Sequence, residues 1–313
     1  MNKRIQNRIA QSRRTLPATA GYAVAVCLAA GLLTRQLWVQ VLLLVVSALM
    51  MVELNNANSL IRIYSRTVSC SFLVLTTTAA FLLPSVGVGV TQLSYIVFFI
   101  FLFRAYQNQT ASGQVFYAFI AIGVASMAFV QILFFVPVLW MLLATNVLAF
   151  SGRTFFASIL GLLTPYWFVA AYRFYTGCLQ ALGDHFVGLL QLGMPFDLSI
   201  LDEHRLVTAI FVLVLALVGG GHFLLYSYQD KIRTRMIYEL FITLTACSFI
   251  FMILQPQHFD PLLGMAIVTT APLIGHYLAL AHSRLSNICF LVIVTLAVLI
   301  TAYNLWMPSP IFS

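Results

Sequence analysis

The sequence predicts an all-α, polytopic transmembrane helical bundle of about eleven spans, and three observations carry that prediction. Of 313 residues, 62% are hydrophobic and 8% charged, with a mean hydropathy of +0.99. A soluble domain is about half apolar and about a quarter charged. The polar residues gather in short clusters between apolar runs about long enough to cross ~30 Å of hydrocarbon as helix. No run alternates apolar and polar residues as a barrel strand would, and in lipid only helices and closed barrels satisfy their own backbone.

Taken in order, residues 1–17 are basic and precede an apolar run without a small-residue cleavage site, so they read as a cytoplasmic N-terminus before an uncleaved anchor. Spans follow at 18–34, which stops at Arg35, and at 37–53, which reaches Glu53. The next is 67–83, between Arg66 and Pro84, and then 92–104, short and rich in Phe, ending on Arg104. Two consecutive runs, 115–131 and 133–150, precede Arg153, which opens 154–174. The last four, 205–228, 236–254, 262–282 and 285–305, are bounded by Asp230 and Lys231, by Gln255 and Pro256, and by Arg284. Residues 18–305 thus form one transmembrane domain, with a short tail at 306–313.

Cytoplasmic loops carry the excess of Lys and Arg. With the N-terminus cytoplasmic, every base except Arg35, Arg173 and Arg205 falls on the cytoplasmic side, and the C-terminus, MPSPIFS, is outside. The acids fall the other way: Asp184, Asp197, Asp202, Glu203 and Asp260 outside, against Glu53, Asp230 and Glu239 inside. Between spans seven and eight, the outer segment 175–204 repeats Leu179, Leu182, Phe186, Leu189 and Leu190 at helical spacing, which predicts a short helix on the outer leaflet.

The stretches LNNANSLIRIYSRTVSCSFLVLTTTAAFLLP, residues 54–84, and FYAFIAIGVASMAFVQILFFVPVLWMLLATNVLAFSGRTFFASILGLLTPYW, residues 116–167, resemble an uncharacterised bacterial multi-pass membrane family known by a domain-of-unknown-function label. DKIRTRMI at 230–237 and APLIGHYLALAHSR at 271–284 extend the resemblance over most of the chain. It implies a multi-pass protein of a bacterial cytoplasmic membrane and no particular activity. The run Gly123, Val124, Ala125 followed by Phe135, Pro137 and Trp140 is distantly similar to GT-C type membrane glycosyltransferases, which use lipid-linked sugars. Those enzymes carry an acid in the first external loop, whereas here that loop is Thr34, Arg35 and Gln36.

Three constellations could carry chemistry. On the outer side stand Asp184 with His185, Asp202 with His204, and His258 with Asp260. Such groups act as general acid and base if distant loops converge. They also serve helix ends: Ser199 and Asp202 fit a capping box, and Asp260 before Pro261 suits a first turn. Inside the membrane, His222 follows three glycines in span eight and His276 follows Pro272 and Gly275 in span ten, at similar depth near the cytoplasmic end. Intramembrane ionisable groups line cavities or relay protons, or else rest as neutral hydrogen-bonded histidines between helices. On the cytoplasmic rim, Arg62 and Arg66 within ELNNANSLIRIYSR suit a phosphate head group, or anchor an Asn-rich turn. Arg173 among Tyr172, Tyr175 and Trp167 suits a pyrophosphate, or an aromatic belt with a snorkelling arginine.

Several classes drop out. The bases are spread between spans, which speaks against nucleic acid, and no P-loop, dinucleotide fingerprint, HExxH or GxSxG motif occurs. Five cysteines, an odd number without CxxC spacing and mostly inside apolar runs, argue against a disulfide framework or a metal site. Three readings stay open, with the lipid bilayer as the one assured partner and protein partners and cofactor unspecified. An enzyme handling lipid-linked sugars or envelope lipids at the outer face stands slightly ahead of a secondary transporter using His222 and His276, and of a scaffold in an envelope complex.

Overall fold

The computed structural model describes residues 5 to 177, 180 to 191, 193 and 195 to 306. Lys3, Arg4, Cys178, Leu179 and the tail beyond Trp306 lie outside the described residues. Among those described, the protein is helical with no strand. The helices are α1 (Ile5–Ala10), α2 (Thr15–Ala29), α3 (Trp38–Asn58), α4 (Thr67–Thr78), α5 (Val86–Leu102), α6 (Ser112–Ala128), α7 (Val136–Thr145), α8 (Gly152–Tyr175), α9 (Gln180–Val187), α10 (Glu203–Tyr226), α11 (Ile232–Leu254), α12 (Phe259–Leu280) and α13 (Arg284–Trp306).

Among the described residues seven, α3, α5 with the 3-10 turn that carries it to Ala105, α8, α10, α11, α12 and α13, are long and apolar enough to cross a membrane. The other four predicted spans fall on shorter apolar helices: α2, α4, α6, and α7 with the 3-10 segment Val130–Phe135 before it. The breaks have local causes. α4 stops at Ala79, whose ψ of 55° leaves the helical region, and a 3-10 turn Ala80–Leu82 leads to Pro84. α6 stops at Phe129 in extended backbone, φ −145° and ψ 91°. The fourth span starts earlier than its apolar core at 92–104, because Ser85 accepts a hydrogen bond from the Val88 amide and caps α5 at Val86.

Hydrogen bonds show how the helix ends are arranged. Near one end, Ser65 Oγ reaches Ala10 O, Thr67 Oγ1 reaches Gly275 O at 2.9 Å, and Arg62 meets Gln229. Arg233 bonds Asn58 Oδ1 and Phe103 O, and Asn146 reaches Met236 O. At the other end, Gln40 meets Pro84 O, Gln131 meets Gly188 O, and Gln255 pairs with the Gly193 backbone. Successive long elements therefore run alternately between a basic end, carrying Arg62 and Arg233, and an opposite end carrying α9 and the start of α10.

α12 lies at the centre, with 94% of its apolar window buried by protein, against 17% for α13, which faces outward. It packs on α4, α5, α10 and α11. Interhelical hydrogen bonds add registry: Thr245 to Thr269 at 2.7 Å, and Asn304 Nδ2 to Thr78 O and Thr208 Oγ1 at 2.6 and 2.9 Å. In membranes such bonds average about 0.6 kcal/mol each. Between α5 with the turn after it, α6 and α11, the rings of Tyr95, Phe98, Phe99, Phe103, Phe119 and Phe241 pack stacked, tilted and edge-to-face, with centroids 4.6 to 6.2 Å apart. This half of the bundle is packed solid.

The short helix expected in 175–204 appears as α9, followed by a 3-10 turn Gly188–Leu190. The capping box at Ser199 and Asp202 does not form. Asp202 holds the N-cap position of α10 but makes no cap bond with its side chain; its carboxylate turns to Arg205 at 3.8 Å, while Ser199 bonds Asp197. An arginine one turn ahead is a stronger partner for that carboxylate than a backbone amide already at the water boundary.

Candidate functional site

A close helix crossing builds the site. A Cβ placed on Gly219 of α10 would lie 2.6 Å from the Leu273 carbonyl carbon of α12, so only glycine permits this approach. Its neighbours differ: a Cβ on Gly220 would meet Ile242 at an ordinary 3.6 Å, and one on Gly221 would meet nothing. One turn beyond Gly219 the chain carries His222, and one turn beyond Pro272 it carries His276. The crossing brings their rings to 5.9 Å.

His276 is 1% exposed, and its Nε2 lies 2.9 Å from Asp230 Oδ2, whose side chain is 4% exposed. We assign the donor role in this contact to Nε2, which leaves Nδ1 as an acceptor. That Nδ1 has no partner, and neither has the buried Nδ1 of His222. Aromatic rings wall the pair: Tyr226 and Tyr277 at 4.8 and 5.1 Å from His222, Tyr238 and Phe223 at 4.9 and 5.4 Å from His276. Both histidines line a cavity of about 340 Å³, together with Arg62, Gln229, Asp230 and His282. Arg62 Nη2 is held 2.7 Å from Gln229 Oε1, and Asn7 Nδ2 of α1 lies 2.8 Å from His282 Nδ1. The cavity thus gathers one arginine and three imidazoles around a single carboxylate, and that carboxylate is already engaged.

Of the groups read from sequence, His222, His276 and Arg62 meet here. Arg66 does not: its Nε lies 3.2 Å from the Tyr64 hydroxyl on an exposed turn. Asn55 and Asn58 serve the turn, Asn55 bonding Ser65 O and Asn58 receiving Arg233. Arg173 is exposed at the far end of α8 beside exposed Tyr172, Tyr175 and Trp167, as an aromatic belt would have it.

The outer acids and histidines divide among three supports. Asp260 pairs with Arg205 at 3.1 Å, Asp202 joins them, and His204 is buried against Phe81 with ring centroids at 5.3 Å. His185 leans on Tyr166, 3.3 Å from its hydroxyl, and that hydroxyl bonds Ser126. His258 stacks near Phe129 at 5.7 Å and contacts Gln257. Asp184 is exposed. Among the described residues no three His, Cys, Asp or Glu side chains are placed to hold a metal ion.

Asp230 is the residue that sequence reasoning passed over. It sits in the turn after α10, where an acid reads as solvated, and only the return of α12 to the same end brings His276 onto it. Its one sequence signal is position: eight residues past His222, at the end of the same span. Comparison with family models, curated proteins and solved structures finds no match to this chain, so the site stands on its geometry alone.

Proposed function

We propose that the protein is a proton-coupled transporter of small polar anions, an eleven-crossing bundle of a bacterial inner membrane with its N-terminus in the cytoplasm. The observation that carries this reading is the desolvated His276–Asp230 pair facing the same cavity as His222. A buried couple of imidazole and carboxylate is costly and gains little stability over apolar packing, so its presence favours a working role. A proton accepted at Nδ1 of His276 leaves an imidazolium hydrogen-bonded to a carboxylate, a charge-assisted pair. His222, a ring's width away, offers the next acceptor; two adjacent imidazoliums repel, so the proton is shared rather than doubled. The added positive charge, beside Arg62 and His282, then attracts an anion into the cavity. The alternation of helix ends and the gathering of bases at one end support the crossing number and the orientation.

The enzyme reading at the outer face draws less from the geometry, since Asp184, His185 and His258 stand on separate supports and Asp260 is engaged by Arg205. The test uses purified protein in liposomes, with inward proton gradients and radiolabelled inorganic phosphate, acetate, lactate and succinate as probes. Gradient-driven uptake of at least one anion is expected, falling at least tenfold in His276→Gln and in Asp230→Asn. Uptake that ignores the gradient, or survives both substitutions, would sink the reading.

A further inference from the structure

A second cavity has no part in the site above. It is a groove of about 700 Å³ between α1, α2, α4 and α13, floored by α10 and α12. Its walls are apolar, from Val74 and Phe211 to Phe290 and Val294, and along α13 it runs from Phe290 to Val298, about 12 Å of helix. Arg8 and Arg14 stand exposed at its mouth, and among the described residues no carboxylate pairs with either. The position of Arg8 is built rather than incidental. α1 is pinned by Gln6, whose Nε2 lies 2.9 Å from Leu278 O and whose amide reaches Asn287 Oδ1 at 3.1 Å.

We propose that this groove holds one acyl chain of an anionic phospholipid, with its phosphate on Arg8 and Arg14. A merely annular lipid meets a convex helix face and no fixed charge. Here a half-open apolar slot continues from a pair of unneutralised arginines at the membrane border, and basic pockets between helices on the cytoplasmic side are where anionic head groups bind. The chemistry asks for both parts of the ligand, a long chain and a phosphodiester.

The experiment titrates detergent-purified full-length protein with phosphatidylglycerol, with phosphatidylcholine of the same chains, and with free glycerol phosphate, reading bound species by native mass spectrometry. Saturable single-site binding of phosphatidylglycerol is expected, at least tenfold tighter than phosphatidylcholine, with none of glycerol phosphate. Arg8→Gln and Arg14→Gln should each weaken it by about fivefold. Val294→Trp, at an exposed groove position, should block the chain while leaving the melting profile unchanged. Equal binding of the two lipids, undiminished binding by the double arginine variant, or binding of glycerol phosphate alone would each overturn the proposal. Because this readout involves no transport, it stands or falls separately from the His276 site.

Discussion

Two acid–base pairs lie at opposite ends of the same helix crossing, and their surroundings give them different work. Arg205 and Asp260 are 3.1 Å apart with 23% and 27% of their side chains exposed, while His276 and Asp230 are 1% and 4% exposed. A partly wet pair is screened and worth about 1 kcal/mol, but it clips the start of α10 to the start of α12. We therefore expect Asp260→Asn to cost about 1–2 kcal/mol, since it leaves Arg205 short of its partner, and Asp202→Asn at 3.8 Å to cost within about 0.5 kcal/mol. Thermal melts in detergent check both values. Transport in liposomes should survive both changes; abolished flux in a well-folded Asp260→Asn protein would move the chemistry to the opposite end.

At the level of the element, the α10–α12 crossing holds the site together through one glycine of three. Gly219→Ala puts a methyl group against the Leu273 backbone, which cannot swing aside as a side chain can. The helices must part, at a cost of about 1–3 kcal/mol, and the His222 and His276 rings separate with them. Gly221→Ala, facing open space, should be neutral in both melting temperature and flux. If the two alanine variants behave alike, the crossing does not position the site. Much of this was legible beforehand: the histidines stand at matching distances from their span ends, and glycines beside them signalled close approach. Which glycine mattered was not, because helical phase relative to a partner is a tertiary fact. The breaks at Ala79 and Phe129 were equally hidden, since apolar residues line both sides of each and composition does not change across them. How the outer acids group was hidden as well. Their common side was expected from the alternation of spans, yet shared sidedness says nothing of lateral distance, and Arg205 is what gathers Asp202 and Asp260.

On the scale of the whole molecule, α12 is enclosed by protein while α3 and α13 turn outward, with 28% and 17% of their apolar windows buried. A chain with that gradient has its exposed apolar surface where lipid would solvate it, and both ends of each long helix must then reach water or head groups. Ser59, in the turn after α3, and Ser199, just before α10, stand at opposite ends of the bundle, and the eleven-crossing reading proposed above requires them on opposite sides of the membrane. Both are exposed. In a background with the native cysteines replaced by serine or alanine, Ser59→Cys and Ser199→Cys are each treated in intact bacterial cells with a membrane-impermeant maleimide. Ser199→Cys should label at once and Ser59→Cys only after permeabilisation, which places the His276 cavity at the cytoplasmic end and the Arg205 cluster outside. The reverse pattern would keep the fold and invert the direction of proton entry. Labelling of both from one side would mean that the short helices α2, α4, α6 and α7 do not all cross, and that the alternation of ends is not an alternation of membrane faces.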